Sequence, residues 1–280
     1  MKQLCDAYTQ IMQQYNDEGL IPGRLERIGF SGKWTGVFGT KEQSGIAFNF
    51  TGEHEFYGSV APNLLAELQV FAGESLTCLA EYLWGKEGIL YAALYLAVLN
   101  ALSNPLNTKE RLQKRGFSFA HANDFTFIKE DDFVTVIGAG GVVNQLRQHC
   151  KEVHVSDMRP KSALESFWVG KKIFKGPKRI IFHSPEENEE LLLQSDVVFI
   201  TGCTLVNRTI FQLLPMIKKA RVIGMFGPSA MLLPDFLFGL GVNYISSSRI
   251  KNAKLIQGYM FEGFCGKKSE ECMDSYSILI

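Results

Sequence analysis

The sequence lacks both a net charge and a long hydrophobic run. Its 280 residues include 29 Lys+Arg and 29 Asp+Glu, so no overall field attracts nucleic acid or an anionic membrane surface. The most apolar run, Ile89 to Leu102, is shorter than the roughly 20 residues of a membrane-spanning helix. The N-terminus also lacks the charged-then-apolar order of a secretory signal. We therefore expect a cytoplasmic protein without a nucleic-acid or membrane partner.

Patterns typical of metal sites and disulfide frameworks are also missing. The six cysteines are scattered without a CxxC pair, and the five histidines show no HxxxH spacing. Cys265 and Cys272 are separated by six residues in a polar C-terminal tail, a spacing that does not favour paired metal binding. We expect reduced thiols packed as small hydrophobes, and no preformed metal site made of protein side chains alone.

The N-terminal part reads as a helix, an antiparallel meander and further helices. A helix is predicted over Leu4–Tyr15, and the strand candidates are Arg27–Phe30, Lys33–Phe38 and Gly45–Asn49. Helical patterns then cover Asn63–Phe71, Ser75–Leu83 and Glu87–Ser103, and they stop before Pro105. The last helix contains the apolar run and is predicted to be buried.

The C-terminal part has a different pattern, in which short apolar runs alternate with helical stretches. The runs are Phe133–Ile137, Val153–Val155, Arg179–Phe182, Val197–Ile200, Arg221–Phe226 and Val242–Ile245. Such alternation predicts an α/β domain, a parallel sheet covered on both faces by helices. We place the boundary so that residues 1–118 form an α+β domain and residues 119–280 a Rossmann-like domain.

The first strand of the second domain ends in a glycine-rich turn, Gly138-Ala139-Gly140-Gly141, before a helix predicted over Val142–Cys150. Glycines at this junction let backbone N–H groups approach an anion. Val143 replaces the third glycine of the dinucleotide fingerprint, so the turn is either a ligand loop or a plain tight turn. Asp157 follows the second strand, where an acidic side chain often binds a ribose; a solvated turn residue is the alternative.

Polar and glycine residues follow the next strand at Thr201, Gly202, Thr204, Asn207 and Thr209. Thr204 is predicted to be the N-cap of an amphipathic helix. The cluster holds more hydrogen-bonding groups than one cap requires, and parallel sheets bind ligands at the carboxyl ends of their strands. We therefore predict a ligand site there. The following strand ends in Gly227, Pro228 and Ser229, which we expect to line the same edge.

Asn100 is a polar residue inside the apolar helix. Burying an amide without a partner costs a few kcal/mol, so the side chain needs a hydrogen-bonding partner. That partner is either structural or part of a site between the domains.

These motifs resemble those of the heavy-metal-chelation family, which began as a domain of unknown function. The resemblance is carried by Thr201–Thr209, Gly227–Ala230, Lys33–Thr35, Gly45–Phe48 and Ala97–Leu102. It implies an N-terminal domain similar to that of enolase, a Rossmann-like domain, and a site between them. It also implies a divalent heavy metal or a metal chelate as ligand, with any metal held by an organic chelator or by oxygen ligands such as Asp157.

The leading hypothesis is binding of a small polar molecule or metal chelate in the interdomain cleft. One alternative is a nucleotide-dependent enzyme, either an NAD(P) oxidoreductase or an S-adenosylmethionine-dependent transferase. The other is a scaffold with a vestigial cleft that assembles as a homo-oligomer. Since no base and nucleophile pair identifies a reaction, the sequence leaves open whether the protein is an enzyme.

Overall fold

The structure is a computed structural model. It describes residues 2–51, 63–120, 124–160, 164, 166–169, 173–175, 179–262 and 269–280. In these ranges no helix is both long enough and apolar enough to cross a membrane.

The N-terminal half begins with a helix and a three-stranded antiparallel meander, as predicted. The elements are α1 (Lys2–Asp17), β1 (Leu25–Ser31), β2 (Trp34–Gly39) and β3 (Ser44–Phe48). The central strand pairs with both neighbours, with Trp34 opposite Ser31 on one side and Phe48 on the other. The meander therefore ends with Phe48 beside the β1–β2 turn.

Among the residues that the structure describes after the meander, four helices occur: α2 (Leu64–Gln69), α3 (Leu76–Leu83), α4 (Ile89–Ser103) and α5 (Lys109–Lys114). Helix α4 is apolar on all faces and nearly every residue after Ile89 is buried, as predicted for such a helix. Strand β3 packs directly on it: a Cβ added at Gly45 would lie 2.2 Å from the backbone nitrogen of Ala101. Only glycine permits this approach, so Gly45 sets the distance between the meander and α4.

The C-terminal half contains an eight-stranded sheet of mostly parallel strands. Its strands are β4 (Phe119–Ala120), β5 (Val134–Ile137), β6 (Val153–Ser156), β9 (Ile180–His183), β10 (Val197–Thr201), β11 (Val222–Phe226), β12 (Tyr244–Ile250) and β13 (Met273–Leu279). A separate hairpin consists of β7 (Ser166–Val169) and β8 (Ile173–Lys175). The strand order is β4-β13-β12-β11-β10-β5-β6-β9. Within it, β9-β6-β5-β10-β11-β12 have the Rossmann arrangement, in which the chain direction across the sheet reverses between the adjacent strands β5 and β10. All six predicted parallel strands are present.

Short helices connect these strands. They are α6 (Val142–Leu146), α7 (Asn188–Gln194), α8 (Cys203–Val206), α9 (Ile210–Leu213), α10 (Pro234–Gly239), α11 (Ala253–Glu262) and α12 (Ser269–Cys272). Single turns of 3-10 helix occur at Pro185–Glu187, Leu214–Met216 and Pro228–Ala230. The helix predicted over Val142–Cys150 is thus shorter than expected.

The polar C-terminal tail contains a strand. Strand β13 runs antiparallel between β12 and β4. Its Asp274 and Ser275 are exposed, whereas Tyr276, Ser277 and Ile278 are buried. The strand is rich in polar residues because part of its length faces solvent. The sequence pattern therefore gave no prediction for this strand.

The two halves share one hydrophobic core. Buried residues of α1 and α4 join those on one face of the parallel sheet, including Val198 and Ile200 of β10, in a single cluster. The alternate residues Val197 and Phe199 belong to a second cluster on the opposite face. Consequently the N-terminal half, together with short helices such as α7 and α9, covers one side of the sheet.

Three asparagine side chains tie α4 and the turn after it to both halves. Asn100, Asn104 and Asn107 recur at helical spacing on one face, and all three are buried. Asn100 Nδ2 donates to Ile46 O at 2.8 Å and Ser229 O at 3.2 Å. We call these three residues the asparagine triad.

The other two members make similar contacts. Asn104 Nδ2 donates to Glu42 O (2.9 Å) and Ile250 O (3.0 Å), and its Oδ1 accepts from Ile250 N (2.8 Å). Asn107 Nδ2 donates to Met231 O at 2.8 Å and to Leu232 O at 3.2 Å. The triad thereby satisfies main-chain groups of both halves that are shielded from water.

A chain of side chains joins the edge strand β9 to β6. His183 Nε2 lies 3.0 Å from His154 Nδ1, and His183 Nδ1 lies 2.9 Å from Glu187 Oε1. The His154 ring also stacks on Phe133, with centroids 4.1 Å apart. Burial, reinforced by the adjacent His183, lowers the pKa of His154 below its usual 6.5.

We predict that Asn104→Ala lowers the free energy of unfolding by about 3 kcal/mol, because the change leaves several buried main-chain groups without partners. Urea denaturation measures the effect. The exposed Asn16 on α1 provides a matched control, and Asn16→Ala should stay within about 0.5 kcal/mol of the parent. Equal effects of the two substitutions would contradict the role given to the triad.

We also predict that stability falls as the pH is lowered below about 6.5, since the unfolded chain then binds a proton at His154 that the folded chain resists. The stabilising contribution is complete above the unfolded pKa and is lost as the pH falls. His154→Phe keeps the stacking on Phe133 and should flatten this slope between about pH 5 and 7. The control His149→Phe should retain it, and a slope unchanged in His154→Phe would refute the assignment.

Candidate functional site

A large cavity lies at the carboxyl ends of β5, β6, β9 and β10, where the Rossmann order reverses. Its volume is about 1170 Å³, above the roughly 300–1,000 Å³ of most small-molecule sites. The N-terminal half contributes Lys33, Phe48 and Phe50 to its lining. The cavity is therefore a cleft between the two halves at the position where open α/β sheets bind ligands.

Six of the residues predicted for the site line this cavity: Gly138, Asp157, Thr201, Thr204, Asn207 and Thr209. The other seven do not: Asn100, Gly140, Gly141, Gly202, Gly227, Pro228 and Ser229. The structure thus brings together the predicted residues nearest the ends of β5 and β6 and the polar residues after β10, while the remaining glycines and the residues from α4 and after β11 lie outside the lining.

Asp157 is held by several hydrogen bonds from its own half. Its Oδ2 accepts from Ala139 N at 2.6 Å and Arg159 at 2.9 Å, and its Oδ1 accepts from the backbone and side chain of Arg159 at 2.9 Å. Burial works to raise the pKa of Asp157, but these hydrogen bonds outweigh it and hold the pKa below its usual value. Both oxygens are already engaged, which argues against a ribose-binding role.

The glycine-rich turn is built for close packing. Gly138 has φ 88°, and a Cβ there would lie 2.5 Å from Thr201 Cγ2, so only glycine fits. A Cβ at Gly140 would lie 2.9 Å from the ring of Phe226. Gly141 and Gly227 border a separate small cavity of about 240 Å³. These contacts favour the tight-turn interpretation over a loop open to a dinucleotide.

The polar residues after β10 are organised by one another. Thr204 lies inside α8 and its Oγ1 donates to Thr201 O at 2.7 Å, so the predicted N-cap role was wrong. Asn207 Oδ1 accepts from Thr209 N at 3.2 Å and from Thr209 Oγ1 at 2.7 Å. The helix breaks into α8 and α9 around this Asn207 turn, which holds both side chains at the cavity.

Ser229 and Asn100 join the halves beneath the cavity. Ser229 Oγ accepts from Phe48 N at 2.9 Å, while Ser229 O accepts from Asn100. Gly202 packs closely on Ala230, where an added Cβ would lie 2.6 Å from the backbone nitrogen. These residues fix the position of the cleft walls, so the motif around Ser229 is structural.

The sequence predictions missed several lining residues. The segment after β9 contributes His183, Glu186, Glu187 and Glu189, and α8 contributes Cys203. The glutamates could have been predicted as site residues, because Ser184-Pro185-Glu186-Glu187 follows a predicted strand at the same edge of the sheet. Lys33 and Phe48 lie in segments that carry the family resemblance, but no local pattern places them or Phe50 at the site, since they come from the other half.

The described residues do not form a metal site of their own: no three His, Cys, Asp or Glu side chains among them converge to hold an ion. Five cysteines are free thiols there, and Cys265 lies outside the described residues. Burial raises the pKa of the Cys203 thiol, which keeps it protonated and a weak metal ligand. The residues therefore do not fit a metal held by protein ligands alone.

Comparison with known structures supports the fold. A DUF364-family protein of unknown function from Pyrococcus horikoshii superposes with a TM-score of 0.70 at 22% identity, covering 99% of this chain and 100% of that one. Another from Desulfitobacterium hafniense gives 0.68 at 18% identity, with 98% and 99% covered. At these identities the likeness concerns the fold alone.

Sequence comparison supports the family. An uncharacterized protein of Methanocaldococcus jannaschii is 40% identical over 60 residues, which cover 21% of this chain and 23% of that protein. Two family models, each described as "Putative heavy-metal chelation", match residues 13–103 and 121–277. The second match spans more than half of the sequence, and the chain accordingly belongs to this heavy-metal-chelation family, DUF364.

Proposed function

We propose that the protein binds a small organic metal chelate in the cleft between its two halves. The observation that carries the proposal is the 1170 Å³ cavity at the carboxyl edge of the sheet, in a chain of the heavy-metal-chelation family. Because the described residues form no metal site of their own, the organic part of the ligand would hold the metal.

The chemistry of the cavity lining supports a ligand that is partly apolar and partly polar. Phe48, Leu213 and Met216 offer apolar contacts, whereas Asn207 and Thr209 offer hydrogen-bonding groups. Small-molecule sites commonly combine these two kinds of surface, with few polar groups fixing the orientation. An organic chelator has the same two-sided character.

A nucleotide ligand is less consistent with the site. Asp157 is occupied by Arg159 and Ala139, and Gly140 lies against Phe226. A dinucleotide would have to displace these contacts to reach the turn. We therefore expect neither NAD(P) nor S-adenosylmethionine to stabilise the protein.

A thermal-shift screen tests the proposal. The probes are zinc, nickel and copper salts, the same metals complexed with nitrilotriacetate or hydroxyquinoline sulfonate, NAD(P) and S-adenosylmethionine. A chelate at about 100 times its Kd should add roughly 2.7 kcal/mol of stability, which means a shift of a few degrees for a chain of this size. Stabilisation by nucleotides, or by none of the chelates, would contradict the proposal.

Two tryptophan variants locate the binding. Gln212 is exposed and lines the cavity, so Gln212→Trp should obstruct the cleft and abolish the chelate shift without burying a polar group. Gln148 is also exposed but lies away from the cavity, and Gln148→Trp should keep the full shift. Binding that survives equally in both variants would place the ligand elsewhere.

A further inference from the structure

The wall contributed by the N-terminal half is aromatic and carries a positive charge. Lys33 lies in the β1–β2 turn, and its Nζ is 5.8 Å from the centroid of the Phe48 ring. The rings of Phe48 and Phe50 meet edge to face, with centroids 4.9 Å apart. All three residues line the cavity, and we call them the aromatic wall.

Hydrogen bonds hold the aromatic wall in place. Asn49 N donates to Lys33 O at 2.8 Å, which closes the turn against the end of β3. Phe48 N donates to Ser229 Oγ at 2.9 Å, which attaches the same strand to the C-terminal half. The wall is therefore positioned before any ligand arrives, an arrangement that lowers the entropy cost of binding.

Phe50 adopts an unfavourable backbone conformation. Its φ is 57°, in the left-handed region that bulky residues rarely occupy, although the side chain is almost completely buried. Such strain costs on the order of 1–3 kcal/mol and persists where the surrounding structure enforces it, often at ligand sites. Here the strained residue is one that lines the cavity beside Phe48.

The two halves contribute different charges to the cavity. Lys33 comes from the N-terminal half, whereas Glu186, Glu187 and Glu189 come from the C-terminal half. Among the described residues of the lining, Arg159 also carries a positive charge, and it forms an ion pair with Asp157. The aromatic wall is thus the part of the cavity where a cation adjoins aromatic rings.

We propose that the aromatic wall recognises a planar aromatic ligand carrying an anionic group, a refinement that rests on the function proposed above. The ligand ring packs against Phe48 and Phe50, where offset or edge-to-face contact of aromatic rings is favourable. Its anionic group pairs with the Lys33 ammonium in a charge-assisted hydrogen bond. The ligand class is therefore an aromatic chelator with a carboxylate, sulfonate or similar group.

Two planar chelators that differ by one charge test this inference. Hydroxyquinoline and hydroxyquinoline sulfonate, used without metal, share the ring system, and only the second has an added anion. Isothermal titration should show the sulfonate binding about 10-fold more tightly to the unmodified protein, as expected for one charge-assisted hydrogen bond.

Variants of the wall separate the two contributions. Lys33→Gln should remove the preference for the sulfonate and leave hydroxyquinoline affinity unchanged, whereas Phe48→Leu should weaken both ligands. Lys254 is exposed and away from the cavity, so Lys254→Gln should keep the 10-fold preference. Circular dichroism of each variant checks that the fold is retained.

The outcomes distinguish this inference from the broader proposal. A sulfonate preference that persists in Lys33→Gln, or equal affinities in the unmodified protein, would overturn the role of Lys33. Binding of other chelates, but of neither hydroxyquinoline, would overturn the aromatic ligand class while the cleft proposal stands. Failure of every chelate in the earlier screen would instead remove the proposed function itself.

Discussion

The asparagine triad is the constraint on which the rest of the structure depends. Ser229 O, Met231 O and Ile250 O lie after or at the ends of central strands, in places where α4 shields them from water. Buried carbonyls need partners, and an entirely apolar helix would offer none. Three amides at helical spacing on α4 and the turn after it supply those partners, and two of them, Asn100 and Asn104, bond the meander at the same time. The same contacts therefore satisfy the sheet and set the position of the N-terminal half.

The cleft follows from this arrangement. Since Asn100 bonds both Ile46 O and Ser229 O, and Ser229 bonds Phe48, the end of β3 is held at the carboxyl edge of the sheet. Gly45 allows β3 to touch α4, which brings Phe48 and Phe50 over the position where Rossmann-like sheets bind ligands. Both halves therefore shape the cavity. Their walls differ in charge, because the N-terminal half contributes Lys33 and the C-terminal half contributes Glu186, Glu187 and Glu189. Recognition of an organic chelate would use this composite surface.

Much of the fold was predictable because its signals are local. Apolar runs identified all six parallel strands, and continuous hydrophobicity identified α4 as buried. Glycine at position 138 and the Thr201–Thr209 cluster correctly indicated the edge of the sheet where the cavity lies.

The errors concern contacts between distant segments. Nothing local distinguishes Ser229, which joins the halves, from Thr209, which lines the cavity, and Lys33 reaches the site only through tertiary packing. Likewise, strand β13 could not be predicted from its own sequence, because pairing with β12 and β4 determines which of its polar residues are buried.

Differential scanning calorimetry tests the central claim, that the triad and the shared core make the two halves a single folding unit with a preformed cleft. We expect one transition, with equal calorimetric and van't Hoff enthalpies. Two resolved transitions, or a calorimetric enthalpy well above the van't Hoff value, would mean that the halves unfold independently and would contradict it.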